Sequence, residues 1–242
     1  MCLQLKKVPT AQKSASLRRH LAVLILAPVP KSNQATIPSP RAEHSMTVIS
    51  VIVGSVRQER FAEKTAHWIL DHLKKREGID ARLLDLADYP LPFFDAPSPP
   101  AMPGRPAYQH EVVKRWTQAI AVSDAFVMVS PEYNHGPSGV LKNAIDWVYQ
   151  EWHRKPVAFV GYGVVGGARA IEALRQSAIA VQLAPIRSAV HIPIAALYAH
   201  FRGEDVSSYL TELDAVANGS IDDLLWWTKA LKAARENATT IE

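Results

Sequence analysis

Thr47-Val-Ile-Ser-Val-Ile-Val53 runs directly into Gly54-Ser55-Val56-Arg57-Gln58-Glu59-Arg60, and a helical repeat begins immediately afterwards. The first stretch is a nearly unbroken β-branched run, the pattern of a strand buried on both faces. Ala62, Ala66, Ile69 and Leu73 then recur at helical spacing, with Glu63, Lys64, Asp71 and Lys75 on the opposite side. Gly78 is expected to end that helix. A buried strand, a tight polar turn and an amphipathic helix form the opening half of a βαβ unit. In such units ligands bind beyond the carboxyl end of the strand.

The same alternation continues downstream. Asp80–Leu86 reads as a second strand, followed by a proline-rich loop from Tyr89 to Pro106 and a helix around Tyr108–Val122. Ala125–Ser130 is a third strand and Ser138–Tyr149 a helix marked by Leu141, Ala144, Ile145 and Val148. Val157–Gly161 is a fourth strand, opened by Pro156; Ile171, Leu174, Ala178 and Val181 mark the helix after it, and Ile186–Ile192 is a fifth strand. A closing helix is expected over Ile221–Ala234, with Ser220 as its cap and Asp222 and Asp223 in its first turn. Five strands alternating with helices predict an α/β fold. The expected form is a doubly wound five-stranded parallel sheet of order 2-1-3-4-5, with helices on both faces.

Upstream of Met46 the composition changes. Lys6, Lys7, Lys13, Arg18, Arg19, Lys31 and Arg41 face one acid, Glu43. The chain therefore carries +4 overall, whereas the part from Met46 onward has a balance of about −2. The basic excess thus belongs to residues 1–45 and gives the domain expected over 46–242 no polyanion-binding character: no nucleic-acid partner is expected. Residues 1–45 read as a disordered leader or an upstream start, with an export or transit segment as the alternative. The apolar run Leu21–Ala27 is far short of the ~20 residues that span a bilayer, so no membrane association is expected. Cys2 is the only cysteine, which precludes an intrachain disulfide and fits a cytoplasmic, reducing environment. His67 and His72, placed on the exposed side of their helix, and His153 show no metal-ligand spacing, and no metal is expected.

Three strand-end loops carry the chemistry. Gly54 permits close backbone approach, Ser55 offers a hydroxyl, and Arg57 and Arg60 offer guanidinium groups beside a helix N-terminus, an arrangement suited to phosphate. Neither GxxxxGK[ST] nor GxGxxG occurs there, which counts against ATP hydrolysis and the usual dinucleotide fold. Taken alone, the loop is equally a helix start with two solvated arginines. Ser130-Pro131-Glu132-Tyr133-Asn134-His135-Gly136-Pro137 follows the third strand and faces the first loop across the switch point of the expected sheet. Its prolines stiffen it, Gly136 permits a reversal, Tyr133 offers an aromatic surface and Asn134 both a donor and an acceptor. An ordinary polar turn before a helix is the alternative. Gly161-Tyr162-Gly163-Val164-Val165-Gly166-Gly167 follows the fourth strand; its glycines either admit a ligand edge or serve helix packing.

At these loops the sequence resembles the NADPH-dependent FMN reductase family, which includes quinone, azo-dye and chromate reductases. The likeness runs from about Met46 to Val190 through GSVRQERF, PEYNHGPSGVLKNAIDW, Glu151-Trp152 and KPVAFVGYG. The resemblance implies a flavodoxin-like fold and non-covalent FMN, with NAD(P)H as co-substrate. It implies that Ser55 and Arg57, with Gly54 and Arg60 beside them, bind the FMN phosphate. Pro131, Glu132, Tyr133 and Asn134 would line the isoalloxazine, and Gly161, Tyr162, Gly163 and Gly166 would approach its other side. The chain departs from the family where a small hydroxyl residue and then an asparagine are common near the end of the phosphate loop; Arg60 and Ala62 stand there instead. The resemblance further implies a homodimer or homotetramer, with the helix carrying Asp146 and Trp147 as a candidate interface. Hydride is then expected to pass from nicotinamide to flavin N5 and on to a small acceptor: a quinone, an azo compound, free flavin or a metal oxyanion. No amino-acid side chain is expected to act as the catalyst, because the cofactor carries the chemistry. An FMN-binding electron carrier and a non-enzymatic nucleotide-binding regulatory domain are the competing classes.

Overall fold

The computed structural model describes residues 46–238; the leader expected over 1–45 lies outside the described residues. Five strands form one sheet: β1 (Thr47–Val53), β2 (Ile79–Asp85), β3 (Ala125–Pro131), β4 (Pro156–Tyr162) and β5 (Ala184–Ile192). Their order is β2-β1-β3-β4-β5 and every pairing is parallel, as expected. The register sets Val53 beside both Asp85 and Val129, and Gly161 beside Ser130. The carboxyl ends of β1, β3 and β4 therefore open along one edge.

Seven helices surround the sheet: α1 (Phe61–Lys74), α2 (Glu111–Ala121), α3 (Gly139–Asp146), α4 (Ala168–Ala180), α5 (Ile194–Phe201), α6 (Ser207–Thr211) and α7 (Asp214–Ala238). Alternation along the strands assigns them to faces. Ile49, Val51, Val53, Val127, Val129 and Val160 pack on one side with α1, α5 and α7. Ile52, Phe126, Met128, Val157 and Phe159 point to the other, against α2, α3 and α4. The central strands β3 and β4 are buried along their whole length, which accounts for their continuous apolar sequence.

Several boundaries differ from the sequence expectation. The closing helix starts at Asp214, not at Ile221; Ser220 lies inside it and is buried, so it caps nothing. Ser220 has the side chain of a cap, but burial of Ala217, Ile221 and Leu224 carries the helix through Gly219 and Ser220. His72, expected on an exposed face, is buried, and its Nε2–H donates to Asp214 at 2.9 Å. That contact ties α1 to the start of α7. The first helix ends at Lys74; Gly78 belongs to the following turn, with φ +74°. Helix α2 begins at Glu111 rather than Tyr108, and α3 stops at Asp146, a 3-10 turn over Gln150–Trp152 completing the segment. The two short helices α5 and α6 were not anticipated.

Candidate functional site

Beyond the carboxyl end of β1 the chain turns at Gly54, whose N–H donates to the Val129 carbonyl at 2.9 Å. A Cβ here would stand 2.4 Å from that carbonyl oxygen and 2.9 Å from Leu141 Cδ2, so only glycine lets β1 leave the sheet at this point. The Gly54 carbonyl accepts from Ser138 Oγ at 2.5 Å, and Ser138 also caps α3 through the Leu141 N–H. The first loop and the α3 start are thus joined by one hydroxyl. Ser55 is buried, and its Oγ lies 3.1 Å from the Tyr133 hydroxyl and 3.4 Å from the Arg57 N–H.

Helix α1 begins at Phe61 without a side-chain cap from Arg60; the Ala62 N–H meets the Tyr162 hydroxyl and the Glu63 N–H the Arg60 carbonyl, and the positive end of the helix dipole lies at the loop. Arg57 is exposed and, among the described residues, pairs with no carboxylate; its guanidinium lies 5.9 Å from the centroids of both the Tyr133 and the Phe201 rings. Arg60 takes a different path. It pairs with Asp85 at the end of β2 and reaches Glu63 at 3.8 Å, leaving its buried Nε without a partner.

The loop after β3 reverses at Asn134 and His135, both with positive φ (49° and 69°), closed by two hydrogen bonds between Tyr133 and Gly136. This is the geometry of a primed turn. Gly136 itself does not need a left-handed backbone; the asparagine and histidine adopt it. Glu132 has only 4% side-chain exposure, pairs with the Arg169 guanidinium and accepts from the Arg169 N–H at 3.0 Å. The same guanidinium donates to His135 Nε2 at 2.9 Å. The side chain of Glu132 therefore fastens the turn to the first residues of α4. Pro131 is buried as the last residue of β3, and Asn134 is exposed.

The glycine-rich loop after β4 is mostly spent internally. A Cβ on Gly161 would lie 2.8 Å from the Gly166 carbonyl and 2.8 Å from Ile171 Cδ1, and one on Gly166 would meet His191 Cβ at 3.0 Å. Gly163 (φ +146°) lies against Glu132. Tyr162 is buried beside Ser55 and packs edge-on against Phe61 with ring centroids 5.2 Å apart. Burial above all, with the neighbouring Tyr133 phenol, pushes its hydroxyl well above the usual phenol range, so it stays protonated. What this loop offers outward is Val164 and Val165, both exposed.

The structure thus gathers Gly54, Ser55, Arg57, Tyr133 and Tyr162 at one corner, with Glu132, Asn134 and Gly163 alongside. It turns Arg60 toward β2, and it buries Gly161 and Gly166 within the fold. An open cavity of about 220 Å³ lies between the first loop, Tyr133, Ser138–Val140 and Phe93. Sequence reasoning missed five contributors: Phe93, Ser138, Arg169 and the α5 residues His200 and Phe201. Ser138 was legible as a cap-type residue opening a helix. Nothing in the apolar, uncapped Ile194–Phe201 segment marks it as a wall of a site. Trp147, at the end of the helix expected as a candidate interface, is 1% exposed and packs against Phe94, Tyr108 and His110 of its own chain. Among the described residues, no cluster of His, Cys, Asp or Glu could hold a metal ion, and no helix is long and apolar enough to cross a membrane.

An open parallel sheet with a helix start, a buried hydroxyl and, among the described residues, a guanidinium without a carboxylate partner at its switch point is the arrangement of a nucleotide-binding α/β protein. The sequence model for NADPH-dependent FMN reductases matches residues 47–196. A relative from a Nectria species, named an NAD(P)H-dependent FMN reductase, is 39% identical over 173 residues, which cover 69% of this chain and 82% of the relative. An NAD(P)H-dependent FMN reductase of Schizosaccharomyces pombe is 39% identical over 147 residues, covering 60% and 73%. Among solved structures, the flavoenzyme NAD(P)H:(acceptor) oxidoreductase FerB from Paracoccus denitrificans superposes with a TM-score of 0.57. It is 26% identical, and the match covers 76% of this chain and 98% of FerB. The chain belongs to the NADPH-dependent FMN reductase family. It is a flavin-dependent oxidoreductase, with FMN as cofactor and NAD(P)H as co-substrate.

Proposed function

We propose that the domain expected over 46–242 holds FMN by its phosphate at the loop after β1 and passes reducing equivalents from NAD(P)H to a small organic acceptor. The observation that carries this is Arg57, exposed and without a carboxylate partner among the described residues, standing beside Ser55 and the start of α1. The donor set fits a phosphate monoester: a hydroxyl and a guanidinium offer hydrogens beside a helix N-terminus. When bound, FMN supplies the two-electron redox chemistry, so the protein's part is binding, orientation and access.

Ser55 and Arg57 would hold the phosphate. Pro131–Asn134 would present a rigid backbone edge to the ring system, and the Glu132–Arg169 ion pair keeps that edge fixed. Tyr162, a neutral phenol whose pKa burial raises further, adds no negative charge at the phosphate corner. Arg60 supports the loop through Asp85 rather than joining the phosphate directly. Exposed Phe93, Val164 and Val165 border the crevice and favour a flat, apolar acceptor such as a quinone or azo compound over a metal oxyanion. We read the protein as a cytoplasmic homodimer or homotetramer, in keeping with its single cysteine and the apolar rim of its crevice.

The test is anaerobic. The FMN-loaded protein is mixed with NADPH or NADH in a stopped-flow instrument, and a quinone, an azo dye and chromate are then added in turn. Loss of the flavin absorbance at rates that support turnover, with recovery fastest on the apolar acceptors, is the expected result. A folded protein that takes up no FMN overturns the proposal.

A further inference from the structure

The loop after β1 lacks the side-chain cap that would fix its own end, and Glu59 within it sits at φ +51°, a region that L-residues rarely occupy. Something outside the loop must hold it. The structure shows what does: α5, a helix that begins at Ile194 and extends past residue 196, where the family match ends. His200 Nε2 lies 2.8 Å from the Glu59 carbonyl, and since a carbonyl only accepts, the imidazole N–H must donate. The His200 ring also packs on Phe61, the first residue of α1, with centroids 5.3 Å apart.

One residue further on, Phe201 is 55% exposed, an unusual placement for so large an apolar ring, and its centroid lies 5.9 Å from the Arg57 guanidinium carbon, the same distance as that of Tyr133. A guanidinium held by cation–π contact keeps N–H donors for an oxyanion, because those donors lie on its edge. Ser55, Arg57 and Tyr133 line two neighbouring cavities: one of about 10 Å³ shared with Phe61, Leu197 and Phe201, and the open one of about 220 Å³ shared with Phe93 and Ser138–Val140. Helix α5 thus borders the same corner from which Arg57 would reach a phosphate.

We infer that α5 is a positioning element of the cofactor site: Phe201, with Tyr133, holds Arg57 so that its edge meets the phosphate, and His200 fixes the loop through the Glu59 carbonyl. This rests on the phosphate reading proposed above. It assigns a role in cofactor retention to a segment beyond the family match, and explains how the loop keeps its form with Arg60 and Ala62 near its end.

The experiment is a double-mutant cycle on flavin affinity. Flavin-stripped protein is titrated with FMN, and separately with riboflavin, following the quenching of flavin fluorescence in the parent, Phe201→Ala, Arg57→Ala and the double variant. Phe201→Ala should weaken FMN by about five- to tenfold, the scale of a partly desolvated cation–π contact. That loss should vanish when Arg57 is already alanine, and riboflavin, which has no phosphate, should bind all four proteins alike. Phe201→Tyr should restore FMN affinity, and His200→Phe, which keeps the ring but deletes the donor, should weaken FMN and spare riboflavin. An equal loss in both Arg57 backgrounds, or a parallel loss of riboflavin, overturns the inference while leaving the cofactor reading intact. If the parent binds no FMN at all, both fall.

Discussion

The loops after β1 and β4 both turn on glycine where a strand leaves the sheet, yet the fold uses them for opposite ends. In the first, one glycine clears the way for β1 to leave the sheet, and the loop then shows a charged group outward with no carboxylate partner among the described residues. In the second, Gly161, Gly166 and Gly167 approach one another and the side chains of Ile171 and His191, so the closeness is spent within the chain. Glycine reports that something comes near. Whether that something is a ligand or the protein itself has to be read from the surrounding polar groups: an exposed guanidinium marks the first loop, and only apolar Val164 and Val165 mark the second.

The largest effect that would sharpen this contrast is on stability. Gly161→Ala should cost about 3 kcal/mol, the upper end of overpacking penalties, because Ile171 and a backbone carbonyl must both move. Urea unfolding of the apoprotein measures it; normal stability with lost FMN affinity would place Gly161 in the cofactor site after all. Arg57→Ala should do the reverse, weakening FMN by about 1.5–3 kcal/mol, the range of a hydrogen bond to a charged group, with apoprotein unfolding unchanged. Unaltered FMN affinity in that variant would remove the first loop from the phosphate site.

Arg169→Ala lies between the two. Glu132 would keep the Arg169 N–H but lose its guanidinium partner, and about 1.5 kcal/mol of stability should go with it, since a largely buried carboxylate is left under-satisfied. The same variant should raise the KM for the acceptor if the turn at Asn134 and His135 shifts, while Arg169→Lys should recover part of both losses. The smallest expected effect is that of Val164→Ser, on a residue 73% exposed. Stability should stay within ~0.5 kcal/mol, and the KM for apolar quinones alone should rise.

Strand periodicity was enough for the elements: continuous β-branched runs and 3.6-residue repeats are local signals, and all five strands follow from them, whereas their order came from the expected flavodoxin-like topology. Where local signals conflicted with packing, the sequence misled. Gly219-Ser220 looks like a helix start, but the apolar face from Ala217 to Leu224 overrides it. His72 looks like a solvated position because its partner, Asp214, is far away in sequence. The site divides the same way. Ser55, Arg57 and Tyr133 lie in contiguous strand-end motifs and could be found. Arg60 could not be told from Arg57 without knowing that Asp85 ends the neighbouring strand. The contribution of α5 depends on a contact between residues 59 and 200, which no spacing within either segment reveals.

Asp124, just ahead of β3, accepts from the Val48 N–H at 3.1 Å and also pairs with Lys232 and Arg235 near the far end of α7. One carboxylate thus links the outset of β1 to the final turns of α7. On a ribosome, the sheet would be laid down well before the cations that neutralise this acid emerge. A chain ending before Lys232 would lack both cations that pair with this acid, and Asp124 would instead be open to water on that side. The amino-terminal edge of the sheet and the last turns of α7 are thus clamped together only once the whole helix is in place.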